Sequence, residues 1–71
     1  MLQKISSLDE INKGVILYDN SDEQKANRFS ILEIHENSIR VIQTETKNRL
    51  RIFLINKLLS EDWWIVENNI H

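Results

Sequence analysis

Three β-prone segments follow one another in the middle of the chain, and a short polar stretch separates each from the next. Residues 29–34, 39–44 and 49–55 are rich in Ile, Val, Leu and Phe, whereas residues 35–38 and 45–48 are largely polar. Connections this short join antiparallel strands, because parallel strands need a crossover of about a dozen residues. The sequence therefore predicts a three-stranded antiparallel meander in a mainly β domain.

The register of this meander decides which side chains share a face, since successive side chains of a strand point to opposite sides of the sheet. Pairing Ile34 with Ile39 and Thr44 with Arg49 makes one face entirely aliphatic. Its members are Leu32, Ile34, Ile39, Val41, Leu50, Ile52 and Leu54. We expect this face to form the core.

The opposite face of the meander combines apolar, aromatic and basic side chains. Glu33 lies there opposite Arg40 as a favourable cross-strand pair. A face open to water rarely keeps this many large apolar groups together, so we expect something to cover part of it. Together with Trp63, this face supplies the predicted partner-binding residues, which are Phe29, Ile31, Arg40, Ile42, Arg49, Arg51, Phe53 and Trp63.

Two further elements precede the meander. Ser7 and Glu10 have the spacing of a capping box, which predicts one helical turn that Gly14 can end in a left-handed conformation. Residues 15–18 form another β-prone run, and the polar residues 19–27 predict a long solvated loop after it.

Two more elements follow the meander. Residues 56–60 predict a helical or 3₁₀ turn, for which Asn56 is a candidate cap. Residues 63–66 predict the last strand, in which the adjacent Trp63 and Trp64 point to opposite faces, so that one of them can fill the core.

This order of five strands, with a long loop after the first and a 3₁₀ turn before the last, resembles the SH3-like small β-barrel. The resemblance rests on architecture and covers residues 14–67, between an N-terminal segment (1–13) and a polar tail (68–71). The chain also resembles short uncharacterised phage and prophage proteins in its first strand, Lys13 to Tyr18, and its Trp-containing last strand. The resemblance implies a five-stranded barrel in a single domain.

Length and composition limit how this domain can be stabilised. The chain has 71 residues and no cysteine, so neither disulfides nor a Cys/His zinc site can staple it. Its net charge of −2 gives no general attraction to nucleic acid or an anionic membrane. With no signal-like N-terminus and no long apolar run, we expect a soluble, cytoplasmic protein, either monomeric with a well-packed core or homo-oligomeric.

The sequence carries no recognisable catalytic or metal-binding motif. His35 stands beside Glu36 without further ligands at suitable spacing, and the single glycine excludes a Gly-rich phosphate loop. The acidic stretch 19–23 lacks the ligand spacing of an EF-hand. We therefore predict a non-enzyme that needs no cofactor or metal and has no small-molecule substrate.

The preferred function is a non-catalytic protein-binding module, of the kind that a small phage accessory or inhibitor protein uses to occlude a partner's surface. A homodimer through the same face is an alternative occupant. A second hypothesis is a nucleic-acid-binding barrel, because arginines interleaved with aromatics can hold phosphates and stack bases. A cationic ligand would need Tyr18, Phe53 and a tryptophan to converge. In a third reading, the mixed face is simply the other half of the core.

Overall fold

The computed structural model describes residues 1–46 and 49–66, and the chain is mainly β, as predicted. These ranges hold six strands and one α-helix. The strands are β1 (Leu2–Lys4), β2 (Ile16–Tyr18), β3 (Arg28–Ile34), β4 (Ser38–Gln43), β5 (Leu50–Leu54) and β6 (Trp64–Val66). A 3₁₀ turn, Leu8–Glu10, follows β1, and helix α1 (Ile55–Ser60) begins directly after β5. The predicted tail, residues 68–71, lies outside the described residues.

The six strands form one open antiparallel sheet in the order β1-β6-β2-β3-β4-β5. The sequence predicted five strands closed into a barrel, but within the described ranges β1 and β5 are two unpaired edges. The extra strand is β1, where Gln3 lies opposite Ile65. Because β1 is defined by a partner more than sixty residues away in the sequence, its short local pattern did not reveal it.

The core lies on one side of this sheet. The N-terminal segment contributes Ile5 and Ile11 to it, and α1 contributes Ile55 and Leu58. From the strands come Leu17, Phe29, Ile31, Ile39, Val41 and Ile65. We call this side the inner face and the opposite side of β3, β4 and β5 the outer face.

The predicted capping box is present in the N-terminal turn. The carboxylate of Glu10 accepts hydrogen bonds from the backbone N–H of Ser6 at 2.8 Å and of Ser7 at 3.1 Å. Gly14 does have a left-handed backbone, with φ of 87°, but it lies in a separate turn in which the N–H of Val15 donates to the carbonyl of Asn12. The residue that ends the 3₁₀ turn is Ile11.

The element before the last strand is a helix, which is one of the two alternatives predicted for it. It is an α-helix of six residues rather than a 3₁₀ turn, and Leu54 rather than Asn56 occupies its N-cap position. Ile55, predicted as the last residue of the third strand, is the first residue of this helix and is buried in the core.

The second hairpin of the meander has a different register from the predicted one. Val41 lies opposite Arg51, and Ile42 lies opposite Leu50, whereas the prediction placed Val41 opposite Ile52. This shift by one residue moves every side chain of β5 to the other face. Phe53 therefore faces inward, and the aliphatic side chains of β5 face outward.

The first hairpin is correct near its turn and wrong beyond it. Ile34 pairs with Ile39 and Glu33 with Arg40, as predicted. A β-bulge then intervenes at Leu32, so that Ile31, not Leu32, lies opposite Val41. The extra residue in a bulge reverses the inward and outward alternation of the strand beyond it, which places Phe29 and Ile31 in the core.

Candidate partner-binding surface

An aromatic cluster forms where β3, β5 and the start of β6 meet on the inner face. The ring centroids of Phe29 and Phe53 are 5.3 Å apart, and that of Trp63 lies 5.7 Å from Phe29 and 5.0 Å from Phe53. The Phe29–Phe53 and Phe29–Trp63 pairs are edge-to-face, a favoured geometry for aromatic rings. Phe29 is buried, whereas Phe53 and Trp63 are partly buried against the core. The cluster therefore completes the hydrophobic core.

Arg51 covers this cluster from the solvent side. Its guanidinium carbon lies 5.6 Å from the ring centroid of Phe53 and 5.8 Å from that of Phe29. Both distances fit cation–π contacts. Phe53 and Trp63 do converge, but the chain's own arginine occupies the cation position, while Tyr18 is buried with Arg28 over its ring.

The predicted partner-binding residues do not share one face. Phe29 and Ile31 are core residues, and Phe53, Trp63 and Arg51 lie on the same inner side. By register, Arg40 and Ile42 lie on the outer face, because they pair with Ile52 and Leu50. Arg49 is exposed just before β5. The predicted stripe of three arginines is therefore divided between the two sides of the sheet.

The outer face carries large aliphatic side chains that reach solvent. They form what we call the outer patch, which consists of Leu32, Ile42, Leu50, Ile52 and Leu54. The accessible fraction is 69% for Ile52 and 54% for Leu50, and Leu32 and Leu54 are also exposed. The prediction had put all of them except Ile42 in the core. Of the predicted aliphatic face, Ile39 and Val41 are fully buried, while Ile34 at the end of β3 is exposed.

One salt-bridge network crosses the outer patch. The guanidinium of Arg40 lies 3.1 Å from a carboxylate oxygen of Glu33, and the imidazole of His35 lies 3.6 Å from the other oxygen. All three side chains are about half exposed, so these contacts add little to stability. The side of β5 that faces outward therefore carries aliphatic side chains only, and it lies next to polar side chains of β3 and β4 that contact one another.

The acidic loop after β2 uses its own polar groups. A carboxylate oxygen of Asp19 accepts from the N–H of Asn27 at 2.7 Å, and the side-chain oxygens of Asn20 and Asp22 accept from backbone N–H groups two residues on. The bonds to Asn20 and Asp22 are Asx turns, which can make turns without glycine or proline. Nowhere in residues 1–46 and 49–66 do three or more His, Cys, Asp or Glu side chains gather as a metal site.

The surroundings of Glu10 lower the pKa of its carboxyl group. The hydrogen bond from the backbone N–H of Ser6 has the largest effect and lowers this pKa, and the bonds from Ser7 and Gln3 act in the same direction against the cost of desolvation. The side chain of Glu10 is partly exposed and stabilises a turn, so it has a structural role outside the outer patch.

Comparison with known proteins gives no match to a family model, a curated protein or a solved structure. Among the described residues no helix is long and apolar enough to cross a membrane. The outer patch was missed because its residues looked like core. The available signal was the aromatic content of the opposite face, since Phe29, Phe53 and Trp63 bury more area than leucines do.

Proposed function

We propose that this protein is a non-catalytic protein-binding module that contacts an apolar surface of a partner protein through the outer patch. The observation that carries the proposal is the exposure of Leu50 and Ile52 on a sheet whose inner face already holds a complete core. On monomers the largest contiguous apolar patch measures about 300–600 Å² and is often functional. A row of exposed aliphatic residues along one strand fits that class of surface.

The charges of the outer face suit a protein partner. Arg40 is paired with Glu33, so no unpaired positive charge dominates the patch. Nucleic-acid binding would require several cations on one surface, yet Arg40 and Arg51 lie on opposite sides of the sheet. The geometry therefore favours protein binding by surface occlusion, the mode of a small phage-type accessory or inhibitor protein.

For the fold, we propose a variant of the SH3-like small barrel. The support is the order of elements from β2 to β6, which includes the long loop after β2, the two hairpins and the short helix before the last strand. In this proposal β1 is an addition that extends the sheet beside β6. An experimental structure in which strand neighbours differ from the order β6-β2-β3-β4-β5 would refute it.

Site-specific photo-crosslinking tests the binding surface. A benzoylphenylalanine replaces Ile52 in the outer patch or, as a matched control, Val66, which is similarly exposed on β6. We expect the Ile52 position, in the cells that produce the protein, to give a discrete adduct with another protein that the Val66 position does not give.

The affinity of the purified partner for variants of this protein is then measured. Leu50→Lys should weaken the binding of the partner by at least about tenfold, since the change buries an unpaired charge, whereas Val66→Lys should leave the affinity unchanged. Equal adducts at both positions, adducts with nucleic acid, or a partner that binds Leu50→Lys normally would refute the proposed surface.

A further inference from the structure

The free edge of β5 presents regularly spaced backbone groups to solvent. The N–H of Gln43 donates to the carbonyl of Arg49 at 3.1 Å, and the N–H of Ile55 donates to the carbonyl of Asn37 at 3.0 Å. Hydrogen-bonded and non-hydrogen-bonded pairs alternate along an antiparallel ladder. Arg51 and Phe53 therefore direct their backbone groups toward β4, and Leu50, Ile52 and Leu54 direct theirs away from the sheet.

The two edges of the sheet are protected to different degrees. At the other edge, Lys4 is the last residue of the short strand β1. Its Nζ lies 2.8 Å from a carboxylate oxygen of Asp62. A short strand with an edge lysine is a common protection against pairing with another chain. β5 has no lysine, and the residues whose backbone groups point outward are aliphatic. Its one charged residue, Arg51, lies over the aromatic cluster of its own chain.

The edge of β5 is complementary to itself about Ile52. A twofold axis there places Ile52 opposite its symmetry mate and Leu50 opposite Leu54 of the second copy. All three are residues whose backbone groups point outward, so they would form hydrogen-bonded pairs. Because Leu54 is the N-cap of α1, its carbonyl already accepts the first bond of that helix, and the three pairs give about four hydrogen bonds. The aliphatic side chains of the two copies then lie side by side on the outer face.

The charge of Arg51 disfavours one neighbouring register. With Ile52 at the axis, Arg51 lies opposite Phe53 of the second copy, the same ring type that it already contacts within its own chain. A shift of one residue toward the N-terminus would put Arg51 opposite Arg51, and like charges directly opposite are destabilising.

A groove of about 280 Å³ lies beside the C-terminal half of β5. Its walls are the strand itself, α1 and the tryptophan before β6, and its lining residues are Ile52, Phe53, Leu54, Lys57, Leu58, Glu61 and Trp63. An arginine arriving opposite Phe53 would meet two aromatic side chains and the Glu61 carboxylate there, with Lys57 also on the wall.

We propose that a second copy of this chain pairs with β5 in antiparallel fashion, with Ile52 at the twofold axis. The occupant of the edge is thus the same chain, because the spacing of the outward backbone groups and the aliphatic side-chain pairing match in one register. This proposal goes beyond the proposed function: the dimer would set two outer patches side by side as one larger surface.

Sedimentation equilibrium on synthetic protein tests the pairing. N-methylation of Ile52 removes an outward N–H from the edge and leaves every side chain in place. N-methylation of Lys4 is the matched control, because the N–H of Lys4 points outward from the other edge in the register of β1 with β6. Leu32→Lys changes the outer patch away from the edge.

We expect wild type to dimerise, and N-methyl-Ile52 to weaken dimerisation by at least about tenfold, because two symmetry-related hydrogen bonds are lost. N-methyl-Lys4 and Leu32→Lys should dimerise like wild type. A wild-type monomer up to about 1 mM, or a dimer weakened by Leu32→Lys but not by N-methyl-Ile52, would overturn the proposal. A partner adduct from a strictly monomeric protein would refute the pairing while supporting the proposed function.

Discussion

Ile31 and Ile52 carry the same side chain in strands of the same sheet, yet the accessible fraction is 1% for Ile31 and 69% for Ile52. Ile31 packs in the core beside Ile39 and Val41, whereas Ile52 lies on the outer face. The register predicted from the sequence, which places the aliphatic side chains of β5 in the core, would have buried Ile52. Substitutions at these two positions therefore distinguish the observed register from the predicted one.

We expect Ile31→Ala to lower the free energy of unfolding by about 2–5 kcal/mol, because it leaves a cavity in the core. Ile52→Ala should change it by no more than about 0.5 kcal/mol, as for an exposed site. Urea denaturation of dilute protein measures both values. If Ile52→Ala were as destabilising as Ile31→Ala, the observed register would be wrong.

Glu10 gives the chain a pH-dependent contribution at a single residue. Its pKa is lowered in the folded protein by the hydrogen bond from the N–H of Ser6 and, to a smaller extent, from that of Ser7. The carboxylate therefore stabilises the folded state above the ordinary pKa of a glutamate, and this contribution disappears as the pH falls through the lowered value.

Glu10→Gln should consequently be less stable than wild type near neutral pH, by about 0.5–1 kcal/mol for a partly exposed cap. The difference should vanish in acid, where wild-type Glu10 is protonated. Thermal unfolding at a series of pH values measures it, and Glu23→Gln in the solvated loop is the control. A difference that stays constant down to the acid limit would contradict this role of Glu10.

At the scale of elements, the sequence predicted where the strands lie better than how they pair. Residues 29–34 and 39–44 match β3 and β4 within one residue at each end, because β-prone runs bounded by polar turns are a local signal. Register is not local. Both faces of β3 and β5 carry apolar side chains, so the hydrophobic pattern did not decide between two registers that differ by one residue.

The bulge at Leu32 illustrates what the sequence could not show. Without the bulge, Phe29 and Ile31 would lie on the other face of the sheet from Val41, as predicted. The structure instead inserts one residue, which brings Phe29 to Phe53 and Trp63 in the core. The bulge thus allows large aromatic rings that lie far apart in the sequence to be buried together. A contact between residues so distant in sequence is visible only in the folded chain.

The bulge also allows a prediction about β3. Deleting Leu32 should leave a regular ladder in which Glu33 still pairs with Arg40 and Ile31 with Val41. We expect this deletion to keep a cooperative unfolding transition, measured by circular dichroism. Deleting Arg40 from β4 should abolish it, because Ile39 would turn outward from the core. Equal loss of structure in both deletions would contradict the observed pairing.

At the scale of the whole molecule, a small chain without disulfides encloses one core and leaves a second apolar surface open. The eight residues that the sequence predicted to bind a partner were expected to share one face, but the register divides them, and Arg40 and Ile42 are the ones on the outer face. The general expectation of an apolar face beyond the core survives, with its position moved to Leu32, Leu50, Ile52 and Leu54.

Amide hydrogen exchange in β5, followed by NMR at low and high protein concentration, tests the register of β5 with β4 and the pairing of its free edge. In dilute protein we expect slow exchange at Arg51 and Phe53, whose N–H groups bond to β4, and fast exchange at Leu50 and Ile52. In concentrated protein all four should exchange slowly, as the edge becomes paired. Protection of Ile52 with fast exchange at Arg51 in dilute protein would contradict the register on which the outer patch and the dimer both depend.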